Sequence, residues 1–440
     1  MLQTLRNALK VEEIKKQLIF TFFMLIVIRF GSQLPIPGVN SDYLTSWIAA
    51  NGLGDAFNFF NAMTGGSFAQ MSVFALNVSP YITSSIIMQL LTIAIPALEE
   101  MQKDGEEGRK KIQNYTRYVT IGLALLESTA MAIGFGGQGL LVNYTWYNVL
   151  LCAITMTAGS AVVMWIGERI TEKGIGNGVS IILLINILSS MPDDFANIFA
   201  VYRYGQARTI AAVILIFIAI FAIVLAMVVF VVILQDAERR IPVQYSKKMQ
   251  GRKQVGGQSS NIPLKVNTAG VIPVIFASSI MQMPIVISQF VKVEEASVGG
   301  RILGMLNSVN WCRIDRPLDS IGLLIYLALI VAFAYFYTSI TFNPLEIANN
   351  MKVQGGFIPG IRPGRPTSDY LIKILNHIII VGAIGLIIVS VIPIMFSGLF
   401  GVPRLSFAGT SLIIITGVVI ETLKKMESQM LVRNYKGFLN

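Results

Sequence analysis

The chain is short of charge. Only 13% of its 440 residues are Asp, Glu, Lys or Arg, against about 25% in an ordinary soluble domain. Histidine occurs once, as His377. A lone histidine in an apolar stretch packs or hydrogen-bonds more often than it ligates, so histidine-based metal or proton chemistry has no foundation here. There are two cysteines, Cys152 and Cys312, in segments of different character. That count excludes a disulfide framework and a cysteine metal site. Lysine and arginine are missing from Gln33 to Gln102. The glycines of "GIGNG" (174–178) suggest a phosphate loop, but no lysine follows and no strand precedes. A tight turn is the simpler reading. No cofactor, metal or enzymatic activity is expected.

What is present is apolar. Hydrophobic residues make up 54% of the chain and the mean hydropathy is +0.66, the composition of a membrane protein. The N-terminus is charged for too long to be a cleavable signal. Leu2, Leu5, Leu9 and Ile14 recur at helical spacing, which suits an amphipathic helix over 1–17 lying on the membrane. About 20 apolar residues cross a bilayer. Ten segments qualify: 18–34, 74–97, 117–135, 147–167, 179–191, 209–234, 270–290, 319–342, 371–396 and 407–427. The fold class expected is an all-α polytopic membrane protein of ten transmembrane helices.

The basic residues set direction. With both termini and every second loop assigned to the cytoplasm, 26 Lys and Arg fall inside and 7 outside, and Arg29 lies within the first span. This asymmetry places both termini inside. The net charge of +10 is therefore topological first, before any nucleic-acid reading is needed.

"PYITSSIIMQ" (80–89) and "PVIFASSIMQ" (273–282) agree at six of ten positions. Chance alone would produce roughly one or two such matches in a chain this apolar. The phrases gain meaning from their place. They fall in the second and seventh spans, each the second of five, and run in opposite directions. That is the signature of an inverted repeat, with its functional site where the halves meet. The expected organisation is an N-terminal half (18–191), an external hinge loop (192–208), a C-terminal half (209–427) with cytoplasmic loops 235–269 and 343–370, and a tail (428–440). Between spans one and two, 55–82 is too broken for a regular span and too apolar for a solvated loop. A short helix folded back into the membrane and a helix lying on the outer surface both fit its composition. Proline at position 80 suits a fresh helix start.

Inverted repeats serve ion-coupled transporters, which bury carboxylates or histidines for the driving ion. The deep spans offer only Glu127 and His377. The repeated phrases instead supply Thr, Ser, Ile, Met and Gln, a weakly polar lining with aliphatic knobs that suits a path for varied cargo. Two function classes stand at this point: a conducting path whose energy comes from a partner, and an inverted-repeat secondary transporter of a small solute.

Longer motifs decide between them. "PIPGV" (35–39), "NAMTGGSFAQMSVFALNVSPYITSSIIMQLL" (61–91), "EEGRKKIQNYTRY" (106–118), "GERITEKGIGNGVSI" (167–181), "SSNIPLKVNTAGVIPVIFASSI" (259–280), "FNPLEIANNMKVQGGFIPGIRPG" (342–364) and "FAGTSLII" (407–414) together resemble the SecY family of bacterial protein-conducting channel subunits over essentially the whole chain. The resemblance implies two halves of five spans that open sideways to lipid, passing unfolded preproteins across the cell membrane and releasing signal sequences and transmembrane segments into the bilayer. It implies a pore ring at Val78, Ile82, Leu183, Ile187, Ile275 and Ile414. A re-entrant plug helix falls at about 55–71, with Asp55, Phe59, Phe60, Gly65, Gly66 and Met71. The lateral gate carries Thr83, Ser85, Glu127, Ser278 and Gln282, with a structural Glu127 capped by neighbouring hydroxyls as the alternative for that residue. The resemblance further implies the partner subunits SecE and SecG, the SecA motor ATPase and the ribosome. The last two would dock on Arg239, Arg240, Lys247, Lys248, Arg252, Lys253 and Arg362. Contact with anionic membrane lipid is the plainer reading of those basic loops.

Overall fold

The computed structural model describes residues 10–41, 43–44, 46, 61, 63–200, 203, 210–245, 248–250, 253–255, 259–290, 297–307, 310–312, 317–400 and 409–436. The N-terminal residues 1–9 lie outside them, and from Glu12 the chain is already in the helix of the first span. The architecture is helical: α1 Glu12–Gly31, α2 Ser79–Ala94, α3 Pro96–Lys103, α4 Glu106–Phe135, α5 Trp146–Lys173, α6 Gly178–Ala200, α7 Ile210–Asp236, α8 Ile272–Phe290, α9 Val298–Leu306, α10 Ile321–Thr341, α11 Pro344–Val353, α12 Arg365–Phe400 and α13 Thr410–Lys436. Nine of the expected spans each overlap one of these helices, whereas the second, 74–97, begins before α2 and runs past its end into α3. Among the described residues, five helices are long and apolar enough to cross a membrane, or six when the bent pair α2–α3 counts as one span.

Local sequence explains the breaks. Pro80 sits in the first turn of α2, where its missing N–H costs nothing. Ile95 precedes Pro96 and is extended (φ −113°, ψ 109°), as the proline ring requires of its predecessor. The chain bends there by 102°. The fifth apolar segment was expected to stop at Met191, but α6 continues through Pro192 to Ala200. A proline removes one backbone donor and perturbs the preceding turn without obliging the helix to end.

The contacts divide the chain into two compact units, 1–208 with 403–407 and 414–440, and 209–402 with 408–413. The division at 208/209 falls at the end of the expected hinge loop. Most of the last helix belongs to the first unit.

Small residues at four-residue spacing build the first unit. Thr116, Thr120, Ala124, Ser128 and Ala132 form the buried stripe of α4, and Cys152, Met156, Gly159, Ser160 and Val163 lie buried on α5. Such stripes let membrane helices approach closely. Outward faces stay apolar: Phe22, Phe23, Ile26 and Phe30 of α1 are all exposed, as a lipid neighbour permits.

The second unit is centred on Val231 of α7, Val274 and Ala277 of α8, Ile330 of α10 and Leu386 and Val389 of α12, all buried. Its 235–269 and 343–370 loops carry strands that the all-α expectation did not include. β1 (Glu238–Tyr245) pairs antiparallel with β4 (Ser259–Lys265) and, at its far end, with β5 (Gly356–Phe357). β2 (Lys248–Gln250) and β3 (Lys253–Val255) form a separate hairpin. Ile241 and Val243 alternate inward and pack with Leu264, Ile358 and Leu371, the period of a sheet with one covered face. Pro263 lies on the edge strand β4, where proline is best tolerated, and Pro242 lies in β1 before the residues that pair with β5.

Candidate functional site

The chain from Asn61 to Val78 is the most polar buried segment of the first unit. Thr64, Ser67, Ser72 and Asn77 are buried there with Met63, Phe68, Met71 and Phe74, so 61–78 is not a helix lying on an outer surface. Two glycines, Gly65 and Gly66, take positive φ (65° and 87°) and turn the chain. Met71 adopts φ 48° while wholly buried, a conformation that costs a side-chain-bearing residue about 1–2 kcal/mol. Its surroundings hold it. Its carbonyl accepts from Ile36 N, and Leu34 O accepts from Val73 N, which pins the return of the segment to the "PIPGV" loop.

Three side chains reach in from three helices. Arg29 Nη1 of α1 donates to Gly65 O (2.9 Å). Asn186 Nδ2 of α6 donates to Met63 O (3.0 Å). Ser160 Oγ of α5 donates to Asn77 O (3.0 Å). A Cβ placed on Gly159 would stand 1.9 Å from Val73 O, so only glycine allows α5 so near this segment. The sequence signalled these positions weakly. Arg29 is the lone cation of its span, and "TAGSA" is a run of small residues; their partners are far away in sequence. Of the expected plug residues, Gly65, Gly66 and Met71 lie here. Asp55, Phe59 and Phe60 lie outside the described residues.

The expected ring residues divide between the units. Val78 is buried at the entry to α2, and half-buried Ile82 follows one turn on, its N–H donating to Val78 O (3.0 Å). Leu183 and Ile187 are buried on α6, and Ile414 is buried on α13. These five belong to the first unit, whereas half-buried Ile275, on α8, belongs to the second.

The gate positions divide likewise. Exposed Thr83 bonds back to Ser79 O (3.1 Å), and Ser85 is half-buried on the same helix. Glu127 is half-buried on α4. The hydroxyl of adjacent Ser128 engages Leu125 O and Thr157, and no side-chain hydrogen bond to Glu127 occurs among the described residues. In the second unit, Ser278 Oγ lies 3.3 Å from Tyr326 OH. The Tyr326 ring packs 5.4 Å from that of Trp311, whose Nε1 donates to Met305 O (2.8 Å). The side chain of Gln282 lies outside the described residues.

Three of the basic positions sit on the strand platform. Arg239 and Arg240 are exposed on β1, Arg240 paired with Glu238 (2.6 Å). Arg362 is exposed in a loop between Gly360 (φ 82°) and Gly364 (φ 103°), with its carbonyl accepting from Thr367 Oγ1 (2.8 Å). The platform joins the 235–269 and 343–370 segments on one core, which places all three arginines on one folded body. Lys248 and Lys253 belong to the β2–β3 hairpin. Lys247 and Arg252 lie outside the described residues.

"GIGNG" is a helix-to-helix turn. Thr21 Oγ1 accepts from Ile175 N (3.2 Å), Lys425 Nζ donates to Gly176 O (3.1 Å), and Asn177 Oδ1 accepts from Val179 N at the start of α6 (3.1 Å). Its glycine-bearing backbone is engaged within the protein. Nearby, Glu168 Oε1 accepts from Arg117 Nε (2.8 Å) and Gln113 Nε2 (3.2 Å), tying α5 to α4.

A family model described as SecY matches residues 72–423. The chain is 43% identical over 454 aligned residues to the protein translocase subunit SecY of Streptomyces galbus, with 100% of both chains covered. It is 41% identical to that of Corynebacterium glutamicum, covering 98% of this chain and 99% of the relative. Among solved structures, one described as a protein conducting channel aligns with TM-score 0.61 at 17% identity, over 95% of this chain and 93% of that one. The channel in a canine ribosome-channel complex from the endoplasmic reticulum aligns with TM-score 0.59 at 16% identity, over 95% and 93%. At these identities the two structures are similar to this chain in fold.

Proposed function

We infer how the parts of this molecule work from the premise that the chain belongs to the SecY family, as its full-length 43% identity to a translocase subunit shows. It is a multi-pass membrane protein and the channel subunit of a protein translocase. The alternative of a small-solute transporter has no support in any relative.

In our reading Val78, Ile82, Leu183, Ile187, Ile275 and Ile414 form an aliphatic ring around the path. Its action is physical rather than chemical. Branched aliphatic side chains close around an extended polypeptide of any sequence, since apolar contact is non-directional. They give an ion no ligand to replace its water, and a narrow apolar constriction resists wetting. The Asn61–Met71 segment is the described part of the plug that closes the outer side. Thr83, Ser85, Glu127, Ser278 and Gln282 mark a lateral gate on α2, α4 and α8, through which an apolar signal helix partitions into lipid. The N-terminal five-span half and the C-terminal half, hinged at 192–208, move apart to open it.

Energy comes from partners. The platform bearing Arg239, Arg240 and Arg362, together with Lys247, Lys248, Arg252 and Lys253, docks the SecA motor and the ribosome, whose rRNA phosphates attract such charge. The canine structure of similar fold is a ribosome-channel complex, which supports the ribosome as a partner. SecE and SecG complete the assembly. The location is the bacterial cell membrane with both termini cytoplasmic, as the distribution of Lys and Arg supports.

Crosslinking tests the path. A preprotein arrested in transit and carrying one cysteine should form a disulfide with Ile82→Cys and with Ile187→Cys, and not with a cysteine placed at lipid-facing Phe23. Crosslinking at Phe23→Cys alone would refute the ring.

A further inference from the structure

Arg29 is the single Lys or Arg of the first apolar span, and the channel reading gives it no task. A guanidinium within a membrane helix is costly and is kept for a reason. Its Nη1 donates to Gly65 O at 2.9 Å. The approach is possible only at glycine: a Cβ there would stand 2.6 Å from that nitrogen and 3.1 Å from Asn186 Cα, and φ is +65°. Asn186 borders the same glycine. It is fully buried, and its Nδ2 donates to Met63 O at 3.0 Å. Among the described residues its Oδ1 has no hydrogen-bond partner. A buried amide normally satisfies both ends, so here one acceptor is forgone while the donor is spent on this segment.

We propose that Arg29 and Asn186 form a clasp that holds the plug segment in its closed seat. Both are positioning residues acting through the carbonyls of Gly65 and Met63, which lie two residues apart. Departure of the segment would leave a guanidinium and an amide inside the first unit without those acceptors, and that penalty keeps it seated. Arginine serves better than lysine because its planar fork is pre-organised. The clasp rests on the assignment of 55–71 as the plug, which the experiment tests separately.

The purified translocase complex is fused into planar bilayers, and resting ion conductance is recorded without preprotein or motor. Five forms are compared: the unaltered complex, Arg29→Ala, Arg29→Lys, Asn186→Ala and a deletion of 55–71. Loss of a charge-assisted bond should raise the plug-displaced population by about 10- to 100-fold, and loss of a neutral one by about 2- to 10-fold. Arg29→Ala and Asn186→Ala should therefore leak in that order, with Arg29→Lys between Arg29→Ala and the unaltered complex. The thermal midpoint of each assembled complex is measured alongside. Rescue by lysine at an unchanged midpoint distinguishes a clasp from general loosening. If the deletion leaks and neither Arg29→Ala nor Asn186→Ala does, the clasp is refuted and the plug stands. If the deletion does not leak, the plug reading fails and the clasp falls with it. Should Arg29→Ala fail to assemble, Asn186→Ala alone decides: quiet bilayers refute the clasp.

Discussion

Glu168→Gln should loosen the packing of α4 against α5 by a measurable amount. The carboxylate accepts from Arg117 Nε at 2.8 Å and from Gln113 Nε2 at 3.2 Å. Its side chain is 10% exposed and that of Arg117 is 37% exposed. Removing one partner of a fully buried pair costs about 3–5 kcal/mol, whereas an exposed pair is worth about 0.2–1 kcal/mol. Water reaching the guanidinium places this pair between those limits. The substituted amide would keep an acceptor oxygen but lose the charge, so the loss should be ~1–3 kcal/mol. Over a folding unit of this size, each kcal/mol lowers the midpoint by about 2–4 °C. The assay is thermal unfolding of the purified complex in detergent at one fixed scan rate, because such unfolding is kinetically controlled. The expected drop is about 2–12 °C. Arg117→Gln should cost at least as much, since it leaves a carboxylate at a nearly dry site. The double variant should lose less than the sum of the single losses, because each single change already removes the pairing. A Glu168→Gln complex that unfolds within a degree of the unaltered one, with strictly additive losses, would show that the pair contributes nothing.

Three further outcomes follow. Cys312 is half-buried next to Trp311 and Cys152 is buried in α5, so a membrane-impermeant maleimide on intact cells should label Cys312 and leave Cys152 unmodified; labelling that needs lysis would reverse the assigned topology. Arg362→Glu should lower SecA-driven secretion at least tenfold while assembly stays intact, and unchanged transport into vesicles would remove Arg362 from the docking face. Replacing Ile82 and Ile275 together with glycine should raise resting bilayer conductance, because two aliphatic knobs leave the constriction; a channel as quiet as the unaltered one would mean the ring is misplaced.

The spans were legible because lipid imposes a simple demand, some 20 apolar residues without a backbone group left over. Pro80 announced the start of α2 for an equally local reason, whereas the break at Pro96 fell inside the expected span 74–97. The strand platform was not legible. Glu238 pairs with Lys265, and nothing within either segment specifies that register before both meet a shared core. Side-chain pairs at long range were harder still. Arg29 was visible as an odd cation, but its acceptor is 36 residues away, and Asn186 reaches a carbonyl 123 residues away. Periodicity carries no information about such contacts. The ring and gate positions came from matched motifs, because an aliphatic residue that lines a path looks in sequence like one that fills a core.

Transport by the purified complex tests the central claim most directly. The complex is reconstituted into proteoliposomes with SecA, ATP and a radiolabelled unfolded preprotein outside, and external protease is added. A protein-conducting channel should leave full-length preprotein protected, with protection lost when ATP is omitted or detergent dissolves the vesicles. Preprotein that stays fully digestible beside active SecA, in vesicles that instead accumulate a small solute saturably, would contradict the account.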